Sequence, residues 1–199
     1  MDTLTAINER RAVKAYDPAH QMTDAEVRQL MDYVRKAPTA FNLQNWRFVL
    51  VRNPELRRQI RAAAWDQAQV TDASLLVVLT ADLKAWQDLE EPLSDAPQPV
   101  KDYFKPAIKD YYEGKERVQI DEAHRSCGLA GATLMLAAKA LGYETSPMDG
   151  FDFQKVGELI RLPKDHVISF MIAVGKGIKP AQPKLGWRPY DKVVLEDTF

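Results

Sequence analysis

The chain has 199 residues, 46% hydrophobic and 28% charged, with 27 Lys and Arg against 28 Asp and Glu for a formal charge of −1. That length suits one compact unit with a sizeable core, and the balanced charge argues against generic binding to a phosphate backbone. One cysteine, Cys127, rules out an internal disulfide or a cysteine-built zinc site. The start Met1-Asp2-Thr3-Leu4 lacks a charged-then-apolar leader and no apolar run reaches a membrane span, so a soluble cytoplasmic protein is expected.

Thr3–Arg10 reads as a short helix with Leu4 and Ile7 on one face, followed by a break at Ala15-Tyr16-Asp17-Pro18. Thr23 with Glu26 is a capping-box start, and Val27, Leu30, Met31 and Val34 recur at helical spacing until Pro38 closes the helix. Arg47–Val51 reads as a strand. Asn53-Pro54 opens a helix to about Trp65, and Ala73–Ala81 holds a continuous apolar run that suits a strand buried on both faces. The block from Leu83 to about Gly114 is rich in charge, proline and aromatics and predicts two helices around a proline-broken bend. Val118–Leu141 predicts one long helix, small or apolar on every side near its centre, hence packed all round either within the subunit or across an interface. Gly142 ends it. Asp152 caps a helix to about Ile160, His166–Gly175 is a last strand, and the proline-bearing tail contains an extended piece, Lys192–Leu195. Few strands and a block of helices predict an α+β fold, a central sheet flanked by helices.

Arg10, Arg11 and Lys14 offer guanidinium forks and a point charge, the chemistry that grips phosphate; the same group also reads as a solvated basic patch at a helix end. Arg188 in the tail reads as a second phosphate ligand or a surface charge. Pro38-Thr39-Ala40-Phe41-Asn42-Leu43-Gln44 places hydroxyl, carboxamide and backbone donors beside an aromatic ring, a mix suited to a planar ligand with polar edges; ordinary loop closure uses the same residue types. Gln67 and Gln69 precede the buried strand, where exposed glutamines are ordinary surface. Pro147-Met148-Asp149-Gly150 allows close backbone approach to a ligand, or is a plain connection. His20, His124 and His166 have no metal-ligand spacing, and neither a Gly-x-Gly-x-x-Gly fingerprint nor a P-loop is present. Cys127 reads as a small buried hydrophobe.

The order of these signals carries more than any one of them. Arg-Arg-x-x-Lys, then Ala-Pro-Thr-x-x-Asn-x-Gln-x-Trp before a strand, Gln before a second strand, Pro-x-x-Gly-Phe after a long helix, and Arg-Pro in the tail together resemble the nitroreductase family of FMN-dependent NAD(P)H oxidoreductases. The resemblance implies an α+β fold with a mostly antiparallel central sheet, spanning 1–199 as a single domain. A helical excursion at about 83–115 and an extended tail at about 180–199 complete it. It implies an interlocked homodimer with swapped tails and FMN at the interface. Arg10, Arg11 and Arg188 then match phosphate ligands, and Ala12 stands where Ser is usual, removing one hydroxyl contact. Lys14 matches the cation near the N1/O2 edge of the ring, the one side chain with a catalytic role. Pro38, Thr39, Ala40 and Asn42 match a segment given by the partner subunit. Gln67 or Gln69 reaches the pyrimidine edge. Pro147, Met148, Asp149 and Gly150 match the stretch against the ring near N5. Asn45 replaces the usual proline before Trp46, which should loosen that turn.

The implied reaction is ping-pong hydride transfer from NAD(P)H through flavin N5 to a small flat acceptor such as a quinone or nitroaromatic, with Phe41, Phe104, Tyr111 and Tyr112 as pocket walls. Those aromatics serve a dimer core equally well. The same fold also hosts dehydrogenation, dehalogenation and flavin fragmentation, and a flavin-binding protein without turnover is a third reading. No ribose-reading motif chooses between NADH and NADPH.

Overall fold

The computed structural model describes residues 1–199. Four strands, β1 (Trp46–Val51), β2 (Leu75–Asp82), β3 (Glu144–Met148) and β4 (His166–Gly175), pair in the order β1-β2-β4-β3, with every neighbouring pair antiparallel. The fold is α+β.

The two central strands are mostly apolar because both of their faces are covered. Alternation along β2 sends Leu75, Val77, Leu79 and Ala81 into one core with α2 (Asp24–Val34) and α6 (Glu116–Ala140), while Leu76 and Val78 enter a second core with α3 (Pro54–Ala63) and α7 (Phe153–Leu159). A bulge between Leu79 and Thr80 skips Ser169, whose hydroxyl meets Nδ1 of His124 on α6 at 3.0 Å.

Helix starts follow their capping residues. Asp2 accepts the Thr5 N–H and begins α1 (Thr3–Glu9), Thr23 and Glu26 form a reciprocal box on α2, and Asn53 and Asp152 cap α3 and α7. A single turn, α4 (Gln69–Asp72), precedes β2. The apolar side chains of α1 are not core: Leu4 and Ile7 are exposed, and Ala6 is the residue buried.

Two sequence expectations fail. The excursion holds one helix of 15 residues, α5 (Gln98–Tyr112), after a short turn at Ala85–Gln87, and Pro106 lies inside the helix instead of breaking it. A proline removes one backbone donor. Here Phe104, Ile108 and Tyr112, spaced four apart, bury against Leu43 and Trp86 and keep the helix continuous. The tail piece Lys192–Leu195 is no strand. A tight turn at Tyr190–Lys192 is its one regular element, and Leu185, Trp187 and Phe199 stand open to solvent.

Helix α6 is packed on one face only within the subunit. Ala123, Cys127, Ala130, Leu134 and Ala138 lie in the core, and at Gly131 a Cβ would fall 2.4 Å from the Phe170 ring, so glycine brings the helix onto the sheet. Across the helix, a Cβ on Gly128 would meet nothing, and Leu129 is 48% exposed. No helix is long and apolar enough to cross a membrane.

Candidate functional site

The chain leaves α1 at Arg10 in an extended conformation and runs beside β3. The Val13 N–H donates to the Thr145 carbonyl at 3.0 Å, and Ala12 forms a parallel bridge with Thr145. Side chains of an extended segment alternate: Val13 is buried while Ala12 and Lys14 are exposed, with Arg10 in step with them. Arg11 falls out of step and donates to the Gln182 carbonyl at 2.5 Å, tying the start of the tail to this segment. Arg10, Arg11, Lys14 and Arg188 form no ion pair with any carboxylate of the chain.

Strand β3 leads directly to Pro147-Met148-Asp149-Gly150. Met148 is buried, whereas Pro147 and Asp149 are exposed. Gln67 and Gln69 are not the plain surface glutamines that their sequence context suggests. Gln67 donates through Nε2 to the Gly150 carbonyl at 2.9 Å, and Gln69, which is 3% exposed, donates to Gln67 Oε1 at 2.9 Å. Gln69 thereby fixes how Gln67 points. The Trp65 ring lies against Gly150, where a Cβ would sit 2.6 Å from Cζ3 of the indole. Thr145 and Ser146, missed by the sequence reading, are buried beside the basic segment, and Thr145 Oγ1 has no hydrogen-bond partner within the chain. No sequence signal pairs them, because Arg10–Lys14 and Thr145 are brought together only by the fold.

The remaining predicted residues form a second group. Pro38, Thr39, Ala40 and Asn42 lie on the loop before β1, where Phe41, Asn42 and Gln44 have left-handed backbones at φ 53, 57 and 47. Thr39 Oγ1 accepts the Gln44 N–H at 2.9 Å and Asn42 Nδ2 donates to the Pro92 carbonyl at 3.0 Å. Phe41 meets Phe104, Tyr111 and Tyr112 edge-on at centroid distances of 5.9, 5.8 and 6.4 Å. Burial, and behind it the charge of Glu122, pushes the Tyr112 phenol well above its usual range. The side-chain bonds and ring contacts of this loop stay within the loop or go to the excursion, and none goes to Arg10–Lys14 or Pro147–Gly150. Asn45 is buried, and its backbone carbonyl takes the Asp82 N–H at 2.8 Å, anchoring the loop to the end of β2. Trp46 is core, stacked on Phe48. Arg188 lies in the exposed tail. Cys127 is buried with its thiol pushed up to about 12 by desolvation, so it offers no nucleophile.

The family model described as the Nitroreductase family matches residues 7–176, from the end of α1 through the last residues of the sheet. The chain belongs to the nitroreductase family. Among its relatives, Protein DrgA of Synechocystis sp. is 49% identical over 185 residues, covering 92% of this chain and 88% of that protein. A solved protein of Staphylococcus epidermidis, assigned as an NAD(P)H:FMN oxidoreductase, superposes with a TM-score of 0.91 at 27% identity, covering 98% of this chain and 95% of its own. An Exiguobacterium sibiricum protein, assigned as a nitroreductase and solved in complex with FMN, gives a TM-score of 0.90 at 28% identity over 98% and 96% of the two chains. The nitroreductase fold is therefore the fold of this chain, including the single antiparallel sheet between two helical layers.

Proposed function

We propose that the chain is an FMN-dependent NAD(P)H oxidoreductase that reduces flat acceptors such as quinones and nitroaromatics. One domain of 1–199 would work as a pair with a second copy. The observation that carries this reading is the continuity of β3. Its one edge holds a basic segment whose charges no internal carboxylate neutralises, and its end holds Pro147–Gly150 tied to Gln67. The donor set fits FMN: unpaired cations suit a phosphate, an unpartnered Thr145 hydroxyl lies beside them, and a carboxamide held by a second carboxamide suits the polar edge of a flavin ring.

Arg10, Arg11 and Arg188 would hold the phosphate. Arg11 would have to leave the Gln182 carbonyl or share its five donors with it. Gln67 would bind the pyrimidine edge, with Gln69 as its support, and the backbone of Asp149 and Gly150 would face the ring near N5. Pro38, Thr39, Ala40 and Asn42 would reach the flavin of the partner subunit, in keeping with their separation from the basic segment within one copy. When bound, FMN supplies hydride acceptance from a reduced nicotinamide and electron donation to the second substrate, a ping-pong cycle through N5. Lys14 would hold positive charge at the N1/O2 edge, where negative charge develops. Phe41, Phe104, Tyr111 and Tyr112 would wall the acceptor pocket.

The test is the visible spectrum of the purified protein. A yellow protein that bleaches on addition of NADPH or NADH, and recovers its colour with a quinone, supports the proposal. A colourless protein that takes up no added FMN sinks it, and one that binds FMN but passes no electrons to any acceptor reduces it to a flavin carrier.

A further inference from the structure

Trp65 has no place in the assignments above, yet its surroundings are built. Aromatic rings are large apolar groups that folding normally buries, whereas the Trp65 residue is 75% exposed. Its backbone and that of Asp66 are both left-handed, φ 53 and 55, a conformation unfavourable for a bulky residue and concentrated at functional sites. The turn is held there from several sides. Asp66 pairs with Arg61 at 2.7 Å and its N–H reaches the Arg61 carbonyl, the Asp152 N–H donates to the Ala63 carbonyl at 2.9 Å, and Gln67 bonds Gly150. The benzo ring of the indole, at Cε3, Cζ3 and Cη2, lies against Gly150, a position where any side chain would collide with it. The ring is thus seated against Gly150 and otherwise open to solvent, directly beside the residues proposed to meet the flavin. Core packing does not account for a ring so exposed.

We propose that Trp65 is the stacking residue for the aromatic acceptor, and that it biases the enzyme toward fused-ring acceptors such as naphthoquinones over acceptors with no ring to stack. This rests on the reading that FMN lies against Pro147–Gly150. Trp65 offers a planar face and a free indole N–H but no group that exchanges protons or electrons in the cycle. Its contribution is to hold the acceptor flat, so it belongs to acceptor affinity and not to the chemical step.

The test compares FMN-loaded wild type with Trp65→Ala and Trp65→Phe. Naphthoate, a flat and redox-inert acid, is titrated into the oxidised proteins and followed by calorimetry. Turnover is then measured with a methylnaphthoquinone and with ferricyanide, which cannot stack. In Trp65→Ala, naphthoate binding should weaken and the quinone KM rise, each about tenfold, the scale of one aromatic pair with its buried area. Trp65→Phe should recover most of both, and kcat, ferricyanide turnover, FMN affinity and melting temperature should stay at wild-type values. Unchanged naphthoate binding in Trp65→Ala overturns the proposal. So does loss of FMN, equal loss with ferricyanide, or a change of oligomeric state, which would assign the ring to the cofactor, to the core or to a subunit contact. A wild-type protein that takes up no FMN removes this proposal and the parent reading together, whereas a failure confined to the variants removes this one alone.

Discussion

Lys14 shows how little of a side chain's role is visible from its type. The sequence offers a basic cluster; the extended backbone sorts it, placing Lys14 in step with Ala12 and Arg10 and turning Arg11 toward the tail. On the proposed placement at the N1/O2 edge, where negative charge would develop, Lys14→Ala should slow flavin reduction by about tenfold or more while FMN dissociation changes much less. Stopped-flow bleaching with NADPH against a fluorescence titration of FMN separates the two, and unchanged reduction kinetics would take Lys14 out of the cycle. Ala12 makes the converse case. Restoring a hydroxyl in Ala12→Ser should tighten FMN by several-fold, worth about 1 kcal/mol as one added hydrogen bond, read in the same titration. Cys127 was legible as a buried apolar residue from its neighbours alone. Its thiol, pushed up to about 12, should resist aromatic disulfide reagents in the native protein and react at once in denaturant. Gln67 and Gln69 were not legible as a relay, because the partner of Gln67 lies 83 residues away on Gly150.

Among elements, the best-read ones are those whose signals are local. The strand His166–Gly175 has the bounds its apolar run predicts, and the caps at Thr23, Asn53 and Asp152 open helices as their side-chain chemistry requires. The excursion was misread because a proline reads as a break unless the apolar stripe through Phe104, Ile108 and Tyr112 has something to pack against, and Trp86 and Leu43 are supplied from elsewhere in the chain. The capping box of α2 also reaches across to the start of β3, since the Tyr143 hydroxyl donates to Glu26 at 2.6 Å. That hydroxyl, followed by the Thr23 bonds, holds the Glu26 carboxyl at about 2 against 4.5 for a free one. A carboxyl that is harder to protonate when folded adds stability that is complete above pH 4.5 and drains away as the pH falls toward 2. Glu26→Gln should lower the melting temperature near neutral pH and flatten its acid limb over that window; an unchanged limb would mean the staple contributes nothing. On α6, Gly131→Ala drives a methyl into the Phe170 ring and should cost about 1–3 kcal/mol by overpacking. Chemical denaturation should show it as a lower midpoint with an unchanged slope.

At the scale of the whole molecule, the open apolar surfaces agree with one another. Leu4 and Ile7 of α1, Leu129 of α6, and Leu185, Trp187 and Phe199 of the tail are all left outside the subunit's own cores. On the proposed pairing, a second copy covers them and brings the Pro38–Asn42 loop and Arg188 to a flavin held by the other subunit. Truncation at residue 179 should leave a folded but monomeric protein that has lost its colour, checked by sedimentation and absorbance on one sample; a truncated dimer that stays yellow would remove the tail from both roles. Residue patterns report which faces are apolar but not what covers them. Strand β1 lies at a margin of the sheet, hydrogen-bonded to β2 on one side only, and its apolar run Phe48, Val49, Leu50 and Val51 is bracketed by Arg47 and Arg52. An open margin invites strand addition by other chains, and the two flanking guanidinium groups are the charges that repel such stacking, so neutralising both should make the protein cloud on heating well before it does now.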